Sequence, residues 1–299
     1  MNKKTFTTKK KAFSLIELAI VLIIIGLLIA GVTGGSALIK NAQLRSVMTE
    51  ARGYQTAVNG FFERFEALPG DFSTPLGTMS PAGAFGNSDG QISHFGAAAA
   101  GVVANRLEGN IAWQHLINGG FVDSSFTAGN ANAAASGTLT ATYIMTPGGT
   151  AVAAIDGASG IPASRLSNAG WAFDYVTGYV SGYNVAAEAT PQNVVILTGS
   201  VTSPGIANSI ATQNIRPTAV LSPIDALSID TKSDDGAPRT GVVRSAGNST
   251  ANLQVTAPGS ASIVLSNGLG LSDCNSETDY TTVTGTVECA LSFRVDPTN

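Results

Sequence analysis

Hydrophobic and polar positions along the chain follow three successive patterns, and each predicts a different kind of element. Positions 18–39 are 22 consecutive residues without a charge, including the run Ala19-Ile-Val-Leu-Ile-Ile-Ile-Gly-Leu-Leu-Ile-Ala30. As a helix this stretch would span about 33 Å at ~1.5 Å per residue, enough to cross a hydrocarbon core of roughly 30 Å. Beyond it, Leu44, Val47, Met48, Ala51, Tyr54, Val58, Phe61, Phe62 and Phe65 recur at three- and four-residue spacing, which puts them on one helical face. Lys40, Arg45, Glu50, Arg52 and Glu63 fall mostly elsewhere, and Pro69-Gly70 ends the pattern. One helix over 13–66 is expected, about 80 Å long at ~1.5 Å per residue. Its first half is apolar all round and its second half is amphipathic, made to lie against a globular head.

The third pattern is shorter in period and richer in turns. A Gly- and Ala-rich stretch runs to about residue 110 and includes Gly86-Asn-Ser-Asp-Gly90. Positions 111–117 read as a short amphipathic helix ended by Gly119-Gly120. Strand candidates lie at 139–145, 171–176, 193–198, 252–256, 262–265 and 287–295, between Gly, Pro and Asn turns. Positions 222–232 read as a second short helix, with Ser222 as its cap and Pro223 in its first turn. No internal repeat is visible. The fold class expected is α+β, a long N-terminal helix packed on a β-rich head over 69–299, with room for an inserted lobe between about 120 and 220.

Composition narrows the setting. Charged residues are 12% of the chain, about half the roughly 25% usual in soluble domains, and Gly, Ala, Ser and Thr fill the space. A nucleic-acid surface needs clustered Lys and Arg, so no nucleic-acid partner is expected. The net charge of -4 hides an asymmetry: Lys3, Lys4, Lys9, Lys10 and Lys11 are five of the 16 basic residues, and no acid accompanies them. Without residues 1–12, 11 basic residues face 20 acidic ones. A basic block before an apolar run keeps that end in the cytoplasm and sends the remainder across the membrane.

One charge intrudes at the start of the apolar run, Glu17. A carboxylate at mid-bilayer costs on the order of 2.5–3.5 kcal/mol on insertion scales, so it needs a partner or a task. A cut between Ala12 and Phe13 would make Glu17 the fifth residue, one helical turn from a new amine. The sequence Lys9-Lys10-Lys11-Ala12-Phe13-Ser14-Leu15-Ile16-Glu17 resembles the prepilin peptidase site of type IV pilins and type II secretion pseudopilins. That family usually has Gly where this chain has Ala12, a substitution expected to slow cleavage. The likeness covers about 30 residues.

The resemblance implies a basic leader at 1–12 and cleavage by a prepilin peptidase that also methylates the Phe13 amine. A transmembrane and filament-core helix at 13–39 and an amphipathic helix at 40–68 would follow. The partners implied are membrane lipid, inner-membrane assembly machinery and other pilin subunits in a helical filament. The location implied is the inner membrane, single-pass with the head in the periplasm, and then a pilus or pseudopilus. In the filament Glu17 would meet the Phe13 amine of a neighbouring subunit. The two buried charges attract strongly where water is scarce, and each alone is costly to desolvate.

Gly31 and Gly35 form a small-xxx-small pair with Gly34 beside them, suited to close helix approach or to a flexible joint. Cys274 and Cys289 are an even pair in an exported chain and read as a disulfide, with free buried thiols as the alternative. The resemblance adds that pilins commonly staple a C-terminal loop in this way. Asp225, Asp230, Asp234 and Asp235 cluster around an Asp-Asp-Gly turn signature. Calcium takes six to eight oxygens, but the spacing matches no EF-hand. A solvated turn is the reading taken, with no metal or other cofactor assigned; Asn87 and Asp89 are a weaker candidate.

His94 and His115 stand apart, with no Gly-x-Ser-x-Gly elbow and no phosphate loop, so an enzyme is not expected. The expected function is a structural subunit of a type IV pilus or secretion pseudopilus. Large size favours a minor or specialised subunit, and Glu17 argues against a tip pseudopilin. The rival readings are an adhesin or binding module displayed on a filament, and a signal-anchored exported protein, cleaved near Gly35-Ser36-Ala37 or held by a plain single span.

Overall fold

The computed structural model describes residues 15–72, 86, 88–92, 108–122, 144–145, 161–176, 192–199, 201–202, 218–238, 240–247, 274, 279–280 and 287–297. The strand candidates at 252–256 and 262–265, and most of the one at 139–145, lie outside them. The chain divides into two compact units, Met1–Gln43 and Leu44–Asn299.

Helix α1 is Leu15–Phe65. It stops one residue short of the expected Glu66, because Glu66 has φ 54° and leaves the right-handed helix. Gly70 follows with φ +91°, and a Cβ there would press on the Ala112 amide at 3.1 Å, so Gly is the residue this turn admits. Helix α2, Glu108–Asn118, begins three residues earlier than its apolar pattern. Helix α3 is Pro223–Ser233. Ser222 occupies its N-cap position with extended backbone, but its hydroxyl makes no cap bond to the backbone; it donates to the Asp225 carboxylate instead.

The strands are β1 Ile144–Met145, β2 Gly170–Val176, β3 Gln192–Thr198, β4 Val201–Thr202, β5 Val243–Gly247 and β6 Cys289–Arg294. β1 pairs with β4, and the other four form an antiparallel sheet in the order β2-β3-β6-β5. β5 escapes the sequence pattern: Val-Arg-Ser-Ala-Gly has little β propensity, and pairing with β6 makes it a strand. The register opposes Trp171 to Leu197, Phe173 to Val195, Val195 to Phe293 and Val243 to Phe293. These residues line one face and join the core. β3 is buried along its whole length, as its unbroken Val194-Val195-Ile196-Leu197 run requires.

The second part of α1 supplies the core's other wall through Leu44, Val47, Ala51, Ala57, Val58 and Phe61. Tyr54 is wedged edge-on between two tryptophans, 4.9 Å from Trp113 of α2 and 5.4 Å from Trp171 of β2. Trp113 in turn lies 4.4 Å from Phe173. Burial and the nearby Glu50 charge push the Tyr54 hydroxyl far above its ordinary range, so this ring titrates nowhere near neutrality.

Cys274 and Cys289 are joined by a disulfide 15 positions apart, and both are fully buried. Closing a loop of this length removes unfolded-state entropy worth on the order of 3 kcal/mol. Replacing both cysteines by Ala is therefore expected to lower unfolding free energy by about 3 kcal/mol with the fold retained. Denaturant titration of the oxidised wild type and the double variant measures it; equal midpoints would refute the estimate.

Candidate functional site

Two regions carry chemistry that packing alone does not explain, the exposed N-terminal part of α1 and a group of acids after α3. Ala12 and Phe13, the expected cleavage pair, lie outside the described residues. Glu17 sits in the first turn of α1, where a negative charge is favoured by the helix dipole. From Leu15 to Gln43 no residue is buried: Leu15 is 88% exposed, Leu27 70% and Leu38 73%. Burial begins abruptly at Leu44. α1 is the one described helix long and apolar enough to cross a membrane.

Inside this exposed stretch the two hydroxyls, Thr33 and Ser36, bond back to the helix itself. Thr33 donates its hydroxyl to the Ile29 carbonyl at 3.0 Å, and Ser36 donates to the Thr33 carbonyl at 2.9 Å. A Cβ added to Gly26, Gly31, Gly34 or Gly35 would meet nothing within 4 Å. Among the described residues no packing demands glycine at those positions.

In the head, Glu50 is a fixed anchor rather than a reactive group. Its Oε2 accepts from the Trp171 indole at 2.8 Å and the Ser164 hydroxyl at 2.6 Å, and its Oε1 accepts from the Arg165 amide at 3.0 Å. Gln55 donates to the Arg294 carbonyl at 2.8 Å. Asp71 caps the turn after Ser88, accepting from the Asp89 amide at 3.0 Å and the Gly90 amide at 2.8 Å. Burial pushes the Asp71 carboxyl up to about 6, against the pull of those amides. Asp89 forms a local turn by accepting from the Gln91 amide at 2.9 Å; Asn87 lies outside the described residues.

His115 is fully buried on α2, stacked on Phe61, and its Nδ1 accepts the Gly70 amide at 3.0 Å. Desolvation lowers it to about 4, so the ring is neutral at pH 7 and holds the turn after α1 in place. His94 lies outside the described residues.

The acids after α3 divide. Asp225 belongs to the first turn with Ser222. Asp230, Asp234 and Asp235 converge, one carboxylate oxygen from each lying within 4.8 Å of the others. The turn is only partly solvated: Asp235 is exposed, whereas Asp230 is 0% exposed. Burial pushes the Asp230 carboxyl up to about 7; the Asp235 and Asp234 charges add to the rise, and the Tyr280 hydroxyl and Gly236 amide oppose it. The helical spacing of Ala226, Ile229 and Asp230 is the sequence signal that could have shown Asp230 facing inward. Glu50 left no such signal, since its partners come from residues 164–171.

Residues 7–33 match the family model of the prokaryotic N-terminal methylation motif. This is the prepilin cleavage signal of type IV pilins and pseudopilins, and it supports a pilin-like reading of the chain. The motif and the long apolar helix are consistent with anchoring in a membrane. No curated protein and no solved structure matches the chain.

The two buried titrating groups near the α1–α2 turn act in opposite directions. Between pH 4 and 6.5 the unfolded chain binds a proton at His115 that the folded chain refuses, so this group's contribution to stability rises with pH. Asp71 keeps its proton longer when folded, so its contribution falls as pH rises from the ordinary carboxyl range to about 6. His115→Asn, which keeps an acceptor near the Gly70 amide, is expected to be destabilised less at pH 4.5 than at pH 7 relative to wild type. Thermal midpoints at the two pH values test this; an equal deficit at both would contradict the assignment.

Proposed function

We propose that the chain is a structural subunit, minor or specialised, of a type IV pilus or of the related type II secretion pseudopilus. Prepilin peptidase cuts it between Ala12 and Phe13, the new amine is methylated, and the first helix packs into a filament core. The observation that carries this reading is the exposed, uncharged stretch of α1 headed by a single acid, Glu17, inside the matched motif.

Each part of that stretch has a physical role in assembly. Before assembly the apolar surface is covered by lipid, with the head on the periplasmic side. In the filament it is covered by the same stretch of neighbouring subunits. Glu17 pairs there with the Phe13 amine of the next subunit, and a misplaced subunit leaves both charges buried and uncompensated. Gly31, Gly34 and Gly35 have open space beside them in this chain, which suits close approach of another helix. A head of about 230 residues supports a minor or specialised role. The chain is the peptidase's substrate and not an enzyme.

Mass spectrometry of the N-terminal peptide, from cells with and without prepilin peptidase, tests the processing step. The expected product begins at methylated Phe13 and disappears without the peptidase; a chain retaining its leader lysines would overturn the reading. Glu17→Ala is expected to enter the membrane normally and to be lost from sheared filaments. Normal incorporation would remove the pairing role while leaving the cleavage result intact.

A further inference from the structure

The sheet has a second face, turned away from α1, and at its β5–β6 end two arginines lie on neighbouring strands with no ion pair to either. We propose that Arg244 and Arg294 form a binding site for one small oxyanion of the phosphate or sulfate class. The proposal concerns the head alone and does not depend on the filament reading.

The register brings the two together. Val243, Leu291 and Phe293 belong to the core, so Arg244, Ser292 and Arg294, which alternate with them, share the opposite face. Arg244 is paired with Ser292, and Arg294 follows Ser292 by two positions on the same strand. Diagonal neighbours of this kind are about 7–8 Å apart, within reach of side chains as long as arginine. Arg244 is 8% exposed; its Nε donates to the Gly241 carbonyl at 3.2 Å, while its Nη1 is buried and makes no hydrogen bond. Arg294 is half-buried and is held by its backbone, donating to the Val242 carbonyl at 2.9 Å and accepting from Gln55. Among the described residues neither guanidinium forms an ion pair.

The acids around the pair are committed elsewhere. Asp234 Oδ2 accepts the Val242 amide and, at 3.0 Å, the Val243 amide. Asp235 accepts the Ala237 amide at 2.8 Å and the Thr240 hydroxyl at 2.6 Å. Asp296, two residues after Arg294, accepts the Asn193 amide at 3.1 Å and its side-chain nitrogen at 2.6 Å. Asp174 is aligned with Arg294 across the sheet, but Val194 of β3 stands between them. Burial and the Arg294 charge pull the Arg244 guanidinium below its ordinary value, and the charges of Asp234 and Asp235 oppose that only in part. A buried donor without an acceptor and a like charge beside it are both relieved by a single anion.

The donors select the ligand. A guanidinium presents its N–H groups as a planar fork that matches the oxygens of phosphate, sulfate or carboxylate. Two such cations match a dianion in sign and number, which favours phosphate or sulfate over a carboxylate. The Arg244 fork is fixed in advance by its bond to the Gly241 carbonyl, and the half-buried Arg294 leaves the site open on its own side. A bound oxyanion would join the side chains of β5 and β6, and binding to the folded form alone raises stability by mass action.

Isothermal titration calorimetry of the full chain in detergent micelles, with inorganic phosphate added at constant ionic strength, tests the site. One saturable site is expected in the wild type, weakened tenfold or more in Arg244→Gln and in Arg294→Gln. Absence of saturable binding by folded wild type would overturn the proposal, as would unchanged affinity in Arg294→Gln. Arg294 is the more exposed of the two, so its variant decides the matter should Arg244→Gln fail to fold. Acetate is expected to bind far more weakly than phosphate; equal affinity would overturn the choice of a dianion. The wild type is also expected to gain a few degrees in thermal midpoint in phosphate over chloride of the same ionic strength. Arg294→Gln should erase that gain, and a gain of the same size in the variant would overturn the assignment to this pair.

Discussion

The organising constraint is that one continuous helix is exposed all round along its first part and buried on one face along its second. Up to Gln43 no side chain of α1 is buried within the chain, and from Leu44 one face is. The backbone can be the same in both environments because an α-helix satisfies its own N–H and C=O groups. Side chains cannot be the same. Leu, Ile and Val cover the full circumference in the first part, and the few hydroxyls there bond back to the helix. In the second part, polar residues return to the faces away from the core.

The head is organised around that second part. Tyr54 enters between two tryptophans from different elements, and Glu50 and Gln55 reach a loop, a strand and the end of β6 through hydrogen bonds. Glu50 and Gln55 lie outside the apolar stripe, yet they connect the helix to the chain from 164 to 171 and to Arg294. Hydrophobic burial sets which face of α1 meets the sheet. The directional contacts set its position along it, because an indole N–H and a carboxylate must meet within hydrogen-bond distance.

How much was legible before folding depended on whether the signal was local. The stripe from Leu44 to Phe65, a helix end shortly before Pro69-Gly70, the short helices and the cores of β2, β3 and β6 follow from period and turn chemistry. β5 was invisible because Val-Arg-Ser-Ala-Gly becomes a strand only beside β6. Ser222 was placed at the right position, but its hydroxyl found the Asp225 carboxylate before any backbone amide. The acid cluster was visible as composition and the inward face of Asp230 in its helical spacing with Ala226 and Ile229, while its partner Tyr280, 50 positions later, left no local signal. Glu17 and its motif were the most legible feature of all, because a charge at the head of an apolar run is conspicuous without any tertiary context.

The strand order has a consequence for how the head is made. β6, the last strand in sequence, lies in the interior of the sheet between β3 and β5. Until residues 289–294 have emerged, β3 and β5 have no one to join them, and an exposed strand edge invites pairing with other chains. A chain that folds from its N-terminal side therefore holds this sheet open until residues 289–294 are available. Cys289 opens that strand, so the same arrival closes the sheet and makes the disulfide available at one moment.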